Sequence, residues 1–527
     1  MAIELIPEII LLITAVAALL LGLAARDSVR RLVQWVSLIG LAAALAAGLG
    51  MGVPAAAMGH ISPLAKYMTL LTCASGIVLV LNAWGMPFGN DPAQCDSQFR
   101  GETFAMMLVS LAGLSMMAKV DDLIWLFLAL ELVSIPTYVL VAAGRGQISS
   151  QEAGVKYFFL GALSVAIFLF GFSYLYGFAG STNFASIHRA FLVAQSTSGL
   201  PFVAVIGLLM VILGVSYKIA AVPLHYYAPD VYQGAATPVT SFLSFVPKAA
   251  GFVAIIVVLN LTGWNLSRGA ANAVPSLLAV MAVLTMTIGN VLALLQRNIK
   301  RMLAYSSVAH SGYILAALVA GPDLIHTHVI TGDGITAAVF YLAAYGIMTI
   351  GVFAVLTYLQ GTSNTAEDLD DIAGIASEHR LAAACMAICL FSLIGMPGTV
   401  GFLGKLFIVQ ADFVSGHEVL AVIVVINAAI AAAYYLRIVA AMYIRESWTP
   451  FVVRKSPALQ FAGAICAALV IFFGIAPTLL INRSGDSASN ILPTASVQVH
   501  KPAARAAAVI TPKPAPKLMT RTLAAAM

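Results

Sequence analysis

Apolar stretches of about twenty residues recur along this chain, from its first residues to about residue 480. The first of them reads IELIPEIILLITAVAALLLG. A helix of that length crosses the hydrocarbon core of a bilayer, where every backbone polar group must be satisfied within the protein. Charged residues make up only 9% of the chain, whereas soluble domains average about 25%. The sequence therefore predicts an all-α polytopic membrane protein with about 14 transmembrane helices.

The basic residues predict how this protein is oriented. Thirteen arginines and lysines fall in the odd-numbered connections between the predicted spans, and four fall in the even-numbered ones. Because basic connections stay in the cytoplasm, both termini are expected on the outer side. The first span has acidic flanks, Glu4 and Glu8, so it is expected to be retained rather than cleaved as a signal peptide. The net charge of +5 comes mostly from these flanks and a basic tail, so it does not indicate nucleic-acid binding.

Two of the predicted spans carry helix-breaking residues. In span 7, Pro223 follows Lys218 and precedes the polar run HYYAPDVYQG, and span 12 reads LIGMPGTVGFLGKLF. Proline removes a backbone donor, and irregular backbone at membrane depth is tolerated only inside protein or along a wet cavity. We therefore expect broken helices 7 and 12, with Lys218 about one turn before the first break. Breaks five spans apart are typical of inverted repeats in transporters, here spans 4–8 and 9–13.

These features divide the chain into five predicted segments. They are an N-terminal three-helix segment (1–100), a first repeat (101–262), a second repeat (263–445), a last transmembrane helix (446–481) and a disordered tail rich in Pro, Ala and Lys (482–527).

Four ionisable residues fall deep inside predicted spans: Glu131, Lys218, Lys248 and Lys405. A charge at the bilayer centre costs about 3 kcal/mol even on the mildest scale, so such residues commonly mark proton or ion pathways. Glu131 and Lys218 are expected to pair, which would let small movements decide whether Lys218 keeps its proton. The structural alternatives are a static ion pair, a Lys248 bound to carbonyls freed by Pro247, and a Lys405 that reaches an aqueous end.

A second group of polar residues is expected to support proton transfer. It comprises His225, His310, Ser306, Ser307 and Tyr305, with Tyr217 and Ser244 as further hydroxyls. Histidine titrates in the range that suits a proton relay, although a lone histidine among hydroxyls is as often structural. Asp230 is expected to cap a helix. Neither the five cysteines nor the histidines form a pattern that predicts a metal, haem or iron–sulfur site in this chain.

Three stretches carry a family resemblance. HYYAPDVYQGAATPVTSFLSFVPKAAGF, QRNIKRMLAYSSVAHSGY and GMPGTVGFLGKLF are similar to signatures of the antiporter-like subunits of respiratory complex I. With LFLALELVSIPTYVLVA and EDLDDIAGI, they most resemble the subunit N group of the proton-translocating NADH–quinone oxidoreductases. The resemblance covers about residues 100–445. Two motifs depart from it: PLHYYAPD lacks a common tryptophan, and GMPGT replaces the commoner double-proline form.

This resemblance implies a 14-helix fold with inverted repeats and a role in proton translocation that is driven by quinone reduction elsewhere. It implies the roles of Glu131 and Lys218 as a pair, of Lys248 as central relay and of Lys405 as the group that exchanges protons with the outer side. This subunit would hold no cofactor, while NADH, FMN, iron–sulfur clusters and quinone would belong to partner subunits. Its expected partners are small K-type and antiporter-like M-type subunits and lipids, in a bacterial cell (inner) membrane.

Three alternative functions compete with this hypothesis. A subunit of a multi-chain cation/proton antiporter or of a membrane-bound hydrogenase would share the fold and the Glu–Lys pair. A secondary carrier would need a substrate pocket formed by the broken helices. An inert membrane scaffold would not explain four buried ionisable residues.

Overall fold

The structure is a computed structural model of the chain. It describes residues 4–50, 63–84, 98–143, 148–197, 199–262, 264, 272–322, 333–360, 367–446 and 456–489. The predicted connections that fall between these ranges, and the tail from residue 490, lie outside the described residues.

Twenty helices make up the described part of the chain. The first ten are α1 (Ile6–Gly22), α2 (Asp27–Arg30), α3 (Leu32–Gly50), α4 (Pro63–Asn82), α5 (Gln98–Met116), α6 (Leu123–Ala142), α7 (Ile148–Ala179), α8 (Phe184–Thr197), α9 (Phe202–Ser216) and α10 (Ala228–Gly234). The others are α11 (Thr237–Asn260), α12 (Ala273–Leu294), α13 (Ile299–Ala320), α14 (Gly334–Leu359), α15 (Ile375–Glu378), α16 (Arg380–Ile394), α17 (Val400–Val414), α18 (Glu418–Ile444), α19 (Pro457–Ile475) and α20 (Thr478–Ser489).

The helices confirm the all-α membrane fold. Ten of the described helical stretches are long and apolar enough to cross a bilayer, and α1, α9, α16 and the segment Gly101–Met116 are shorter apolar helices. Strands are absent from the described residues, which hold only the isolated bridges Asp122–Asn183 and Asn298–Asp368. The number of spans and the inverted repeats stay predictions. Sequence analysis did not anticipate α8, a short helix between α7 and α9.

Three helices, α11, α13 and α14, are buried along almost their whole length. They pack against one another and carry Lys248, His310 and Tyr341, respectively. A helix that is apolar on all sides is expected in the centre of a bundle. The ionisable residues on these helices are therefore shielded by protein from the surrounding lipid.

Both expected helix breaks are present. In the first, α9 ends at Ser216 and α10 begins at Ala228, with Ala220 in a left-handed conformation (φ 53°). In the second, α16 ends at Ile394, Gly395 follows it in a left-handed conformation (φ 94°), and α17 starts at Val400. The expectation that Lys218 precedes the first break by a turn is wrong. Since α9 already stops at Ser216, Lys218 lies in the break itself.

The boundary expected for the disordered tail is also wrong. Residues 482–489 belong to α20, which begins at Thr478 and packs against α4 and α14. Ser484 and Ser487 are buried there, and the Ser484 hydroxyl donates a hydrogen bond to the Tyr67 hydroxyl over 3.5 Å. One buried face was enough to fold a segment whose composition alone predicted disorder.

Candidate functional site

The Glu131–Lys218 pair joins α6 to the first helix break. The Lys218 ammonium nitrogen Nζ lies 3.4 Å from Glu131 Oε1, 2.6 Å from Ser134 Oγ and 3.2 Å from the Tyr138 hydroxyl. The Lys218 side chain is 3% exposed and that of Glu131 is 16% exposed. All three partners of the ammonium come from one face of α6, at the i, i+3 and i+7 spacing that a helix brings together. The expected pairing is therefore present.

The backbone of the first break is held by side chains in addition to turn hydrogen bonds such as that from the Lys218 amide to the Val215 carbonyl. The Tyr227 hydroxyl donates to the Tyr217 carbonyl over 2.7 Å, and the Val222 amide donates to Thr285 Oγ1 over 2.9 Å. Such partners are required because an unpaired backbone group at membrane depth would cost several kcal/mol. They hold Lys218 on a fixed, non-helical backbone.

A serine connects this break to the next lysine. Ser311 on α13 donates to the Ile219 carbonyl over 2.5 Å and accepts a hydrogen bond from Lys248 Nζ over 3.0 Å. Moreover, Gly251 on α11 lies against this region, since a Cβ added there would be 3.1 Å from the Lys218 Cβ. Lys218 and Lys248 thus lie in neighbouring packed segments.

Lys248 is buried and its ammonium contacts α13, not its own helix. Its Nζ donates to the Ser307 carbonyl and to Ser311 Oγ, and it lies 5.7 Å from the centre of the Tyr345 ring. The alternative in which Lys248 satisfies carbonyls freed by Pro247 does not match these contacts. Among the described residues, no carboxylate forms a salt bridge with Lys248.

His310 connects two tyrosines on different helices. Its Nδ1 lies 2.7 Å from the Tyr341 hydroxyl of α14, and its Nε2 lies 3.0 Å from the Tyr435 hydroxyl of α18. The Tyr435 hydroxyl also hydrogen-bonds to Ser306 Oγ. Both nitrogens of this buried ring are therefore engaged with groups that can donate or accept a proton.

Lys405 lies at the second break with its ammonium turned inward. Its Nζ donates to the carbonyls of Leu393 and Ile394, each over 2.8 Å, at the C-terminal end of α16. A helix C-terminus carries partial negative charge and unpaired carbonyls, so it stabilises a cation. The Lys405 side chain is buried, which does not match the alternative in which it reaches an aqueous end.

Aromatic side chains lie between His310 and Lys405. Lys405 Nζ lies 5.0 Å from the centre of the Tyr313 ring, and that ring lies 5.5 Å from the His310 ring. Tyr341 packs directly on Gly404, where an added Cβ would lie 2.4 Å from a ring carbon. Polar and ionisable groups consequently form a nearly continuous line from Lys218 through Lys248 and His310 to Lys405.

Some of the remaining expected residues contact the groups between Lys218 and Lys405, and others do not. Ser306 and Ser307 do, and Ser307 Oγ also hydrogen-bonds to the Tyr232 hydroxyl over 2.9 Å. Tyr305 is half-buried, and no hydrogen bond between described residues involves its hydroxyl. His225 is half-buried, and its buried Nδ1 is without a partner among the described residues.

Two further hydroxyls and one carboxylate make other contacts. The Tyr217 hydroxyl donates to the Tyr157 carbonyl and Ser244 Oγ to the Ser241 carbonyl, each over 2.7 Å. Asp230 is not the cap of α10 but accepts from Lys156 over 2.9 Å and from Arg301 over 2.8 Å. The cap prediction was wrong because two cations from neighbouring helices compete for this carboxylate.

Sequence reasoning missed several polar partners. They are Ser134 and Tyr138 beside Lys218, Ser311 beside Lys248, and Tyr313, Tyr341, Tyr345 and Tyr435 around His310 and Lys405. The helical spacing of Ser134 and Tyr138 from Glu131 was the one available signal. The tyrosines come from helices whose mutual packing no local pattern reveals.

A second buried ion pair was also missed. Lys119 Nζ lies 2.6 Å from Glu8 Oε1, with both side chains largely buried, and Ser115 also donates to that oxygen. Glu8 therefore lies within the first turn of α1, where it belongs to the packing of α1 against α5, rather than flanking the first span. Among the described residues, no three His, Cys, Asp or Glu side chains converge to hold a metal ion.

Comparisons with known proteins agree with the motifs. The model of the family described as NADH:quinone oxidoreductase/Mrp antiporter, TM, matches residues 120–431. The chain is 38% identical to NADH-quinone oxidoreductase subunit N of Desulfovibrio desulfuricans, over 90% of this chain and 94% of that protein. It is 34% identical to subunit N of Rhodospirillum rubrum, over 92% and 96%, respectively.

Solved structures extend the similarity to the fold. A chain of respiratory complex I from Thermus thermophilus superposes with a TM-score of 0.73 and 29% identity, over 90% of this chain and 99% of that one. A chain of an archaeal membrane-bound sulfane sulfur reductase superposes with a TM-score of 0.78 at 23% identity, over 93% and 98%. The latter similarity concerns the fold alone.

Proposed function

Since this chain belongs to the subunit N family of the NADH–quinone oxidoreductases, we propose that it moves protons along its buried Glu131–Lys218–Lys248–Lys405 line. One observation carries the proposal. Three buried ammonium groups lie in adjoining packed segments, and Ser311, His310 and several tyrosines lie between them. A structural core would not need four ionisable groups at membrane depth.

The pair at the first break acts as the switch. The negative charge of Glu131 attracts the Lys218 ammonium when the two are near, and this attraction weakens as Glu131 moves away. The contact of 3.4 Å is at the long end of hydrogen-bonding distances, whereas Ser134 lies at 2.6 Å. Since Ser134 and Tyr138 lie on α6 as well, a movement of the Glu131 side chain alone would weaken the ion pair while leaving these hydrogen bonds in place.

Lys248 receives the proton that Lys218 releases. Transfer needs donors and acceptors within about 2.6–3.2 Å, or a water between them. Ser311 Oγ lies within this distance of Lys248 Nζ, while on the other side it contacts the main-chain carbonyl of Ile219, next to Lys218. Transfer from the Lys218 ammonium to Ser311 therefore needs a water between them. His310, with Tyr341 and Tyr435 at its two nitrogens, then continues the line toward the second break. Because neighbouring ammonium groups repel each other, adjacent lysines would be protonated in alternation.

Lys405 ends the line at the second break, where it would exchange protons with the outer side. The carbonyls of Leu393 and Ile394 hold the protonated amine, so its release requires a rearrangement of the break. The chain would hold no redox cofactor itself. NADH, FMN, iron–sulfur clusters and quinone would be bound by partner subunits, with K-type and M-type subunits as membrane neighbours.

The charge asymmetry of the connections supports an orientation with both termini on the outer face of a bacterial inner membrane. A reporter inserted after Arg145 should therefore face the cytoplasm, and one fused to the C-terminus should face outward. Enzyme-linked reporters that are active on only one side of the membrane measure this directly. A cytoplasmic C-terminus would mean an odd number of spans.

The proposed function is tested by Lys218→Ala in the assembled complex. In membrane vesicles energised with NADH, we expect quinone reduction to continue while proton uptake falls by roughly tenfold or more, because a positioned proton carrier contributes at least about 10²-fold to its step. Lys156→Ala is the matched control, since Lys156 is an exposed lysine that also pairs with carboxylates. A native gel must show equal assembly of both variants. Full proton uptake by an assembled Lys218→Ala complex would contradict the proposal.

A further inference from the structure

Asp412 is a buried carboxylate outside the line described above. It lies in the last turn of α17 and is fully buried, and neither of its carboxylate oxygens has a hydrogen-bond partner among the described residues. An ionised carboxylate in such surroundings is so unfavourable that the group takes up a proton instead. Asp412 therefore holds a proton in this conformation.

The position of Asp412 relates it to Lys405. Both lie on the buried face of α17, seven residues apart, which is two helical turns or roughly 10 Å along the axis. The helix ends at Val414, and residues 413–419 are exposed. Asp412 is thus the last buried ionisable residue of α17 before the helix reaches the surface.

The section between the two residues is apolar except for Gln410, whose buried Oε1 has no hydrogen-bond partner among the described residues. Ile408 lies between them on the same face, and the ring of Phe407 packs edge-on against Phe340 of α14 at 5.0 Å between ring centres. A proton cannot pass directly over this distance, so it needs water that enters the section. Two tyrosines of neighbouring helices, Tyr313 and Tyr341, contact α17 near Lys405.

We propose that Asp412 is a further proton-binding residue of the pathway, which exchanges protons with Lys405 through transient water and with the aqueous face at the end of α17. In the step toward the surface, the O–H bond of Asp412 breaks first and its proton passes to water outside. An N–H bond of the Lys405 ammonium then breaks and an O–H bond forms again on the Asp412 carboxylate, which leaves Lys405 as a neutral amine. This inference rests on the proposed function, since it extends the same line by one group.

The test compares Asp412→Asn, Asp412→Glu and Lys405→Ala in the assembled complex reconstituted into liposomes. Asparagine matches the shape of the protonated acid but cannot carry the proton onward, whereas glutamate can. We expect Asp412→Asn to lower proton translocation per NADH by roughly tenfold and Asp412→Glu to retain most of it. Asp121→Asn, at an exposed carboxylate, is the matched control and should match the parent protein.

The outcomes separate this inference from the proposed function. Full translocation by Asp412→Asn, together with its loss in Lys405→Ala, would make Asp412 a structural acid and overturn only this inference. Full translocation by Lys405→Ala would instead contradict the proposed function. If Asp412→Asn does not assemble, the second measurement is an infrared difference spectrum between the parent protein and Asp412→Glu. A shifted band of a protonated carboxylic acid supports the inference, and a carboxylate band alone overturns it.

Discussion

The two helix breaks hold their lysines in different ways. At the first break, Lys218 is neutralised by a carboxylate, Glu131, at 3.4 Å. At the second, Lys405 is held by two main-chain carbonyls at 2.8 Å and by the face of Tyr313. A carboxylate on another helix can move away, whereas carbonyls of the same break cannot leave without unfolding it. The first break is therefore suited to switching a proton, and the second to holding one until the break itself rearranges.

The largest expected effect comes from removing the counterion at the first break. Glu131→Ala should lower the amount of assembled complex on a native gel, because breaking a buried ion pair typically costs about 3–5 kcal/mol. The cost should fall below that range here, since Glu131 is 16% exposed. Adding Lys218→Met should restore assembly, because it removes the uncompensated charge.

Glu131→Gln is the control for this comparison, since glutamine keeps the size of the side chain and can still accept a hydrogen bond from Lys218. It should assemble better than Glu131→Ala. If the double variant assembled no better than Glu131→Ala alone, the pair would not be an electrostatic unit. The contrast between the two breaks would then lose its basis.

A smaller effect on stability should come from substituting the residue in each break whose backbone is left-handed. Gly395→Ala should destabilise the second break, because an L side chain at φ 94° is strained by roughly 1–2 kcal/mol and its Cβ would lie 3.2 Å from the Lys405 Cδ. Ala220→Gly should relieve the corresponding strain at φ 53° in the first break. The thermal midpoint of the purified complex should fall for the former and rise slightly for the latter.

Equal shifts of the midpoint in the same direction would show that the two breaks are not held by their backbone conformations as described. Gly180→Ala provides a matched reference for Gly395→Ala. Gly180 has φ 68° at the end of α7, and an added Cβ there meets nothing within 4 Å. The difference between the two glycine variants isolates the contact with Lys405 from the backbone strain.

The membrane fold, the main ionisable residues and one ion pair could be predicted from the sequence, but the other partners of these residues could not. Apolar length and proline position are local properties, so they predicted the all-α fold and both breaks. The pairing of Glu131 with Lys218 was also accessible, because a buried charge needs a nearby opposite charge. By contrast, Tyr341, Tyr435 and Ser311 reach the line only through the packing of helices that are distant in sequence.

Two errors have a common physical origin. The exact end of α9 and the fold of residues 482–489 depend on tertiary contacts that override local preference. Thr285 of α12 accepts a hydrogen bond of 2.9 Å from the Val222 amide in the first break, and Tyr67 of α4 contacts Ser484 of α20. A pattern in one segment carries no information about a partner in another. Composition could therefore locate the breaks approximately but could not place Lys218 inside one of them.

Lys248 offers the most direct test of the relay as a whole, because it lies between the two breaks and forms no salt bridge with a described carboxylate. In liposomes that contain the assembled complex, protons translocated and quinone reduced should be measured together for Lys248→Met, which keeps the bulk of the side chain without its charge. The account predicts that proton translocation per quinone reduced falls by roughly tenfold or more, with assembly unchanged on a native gel. An unchanged ratio in an assembled Lys248→Met complex would contradict it.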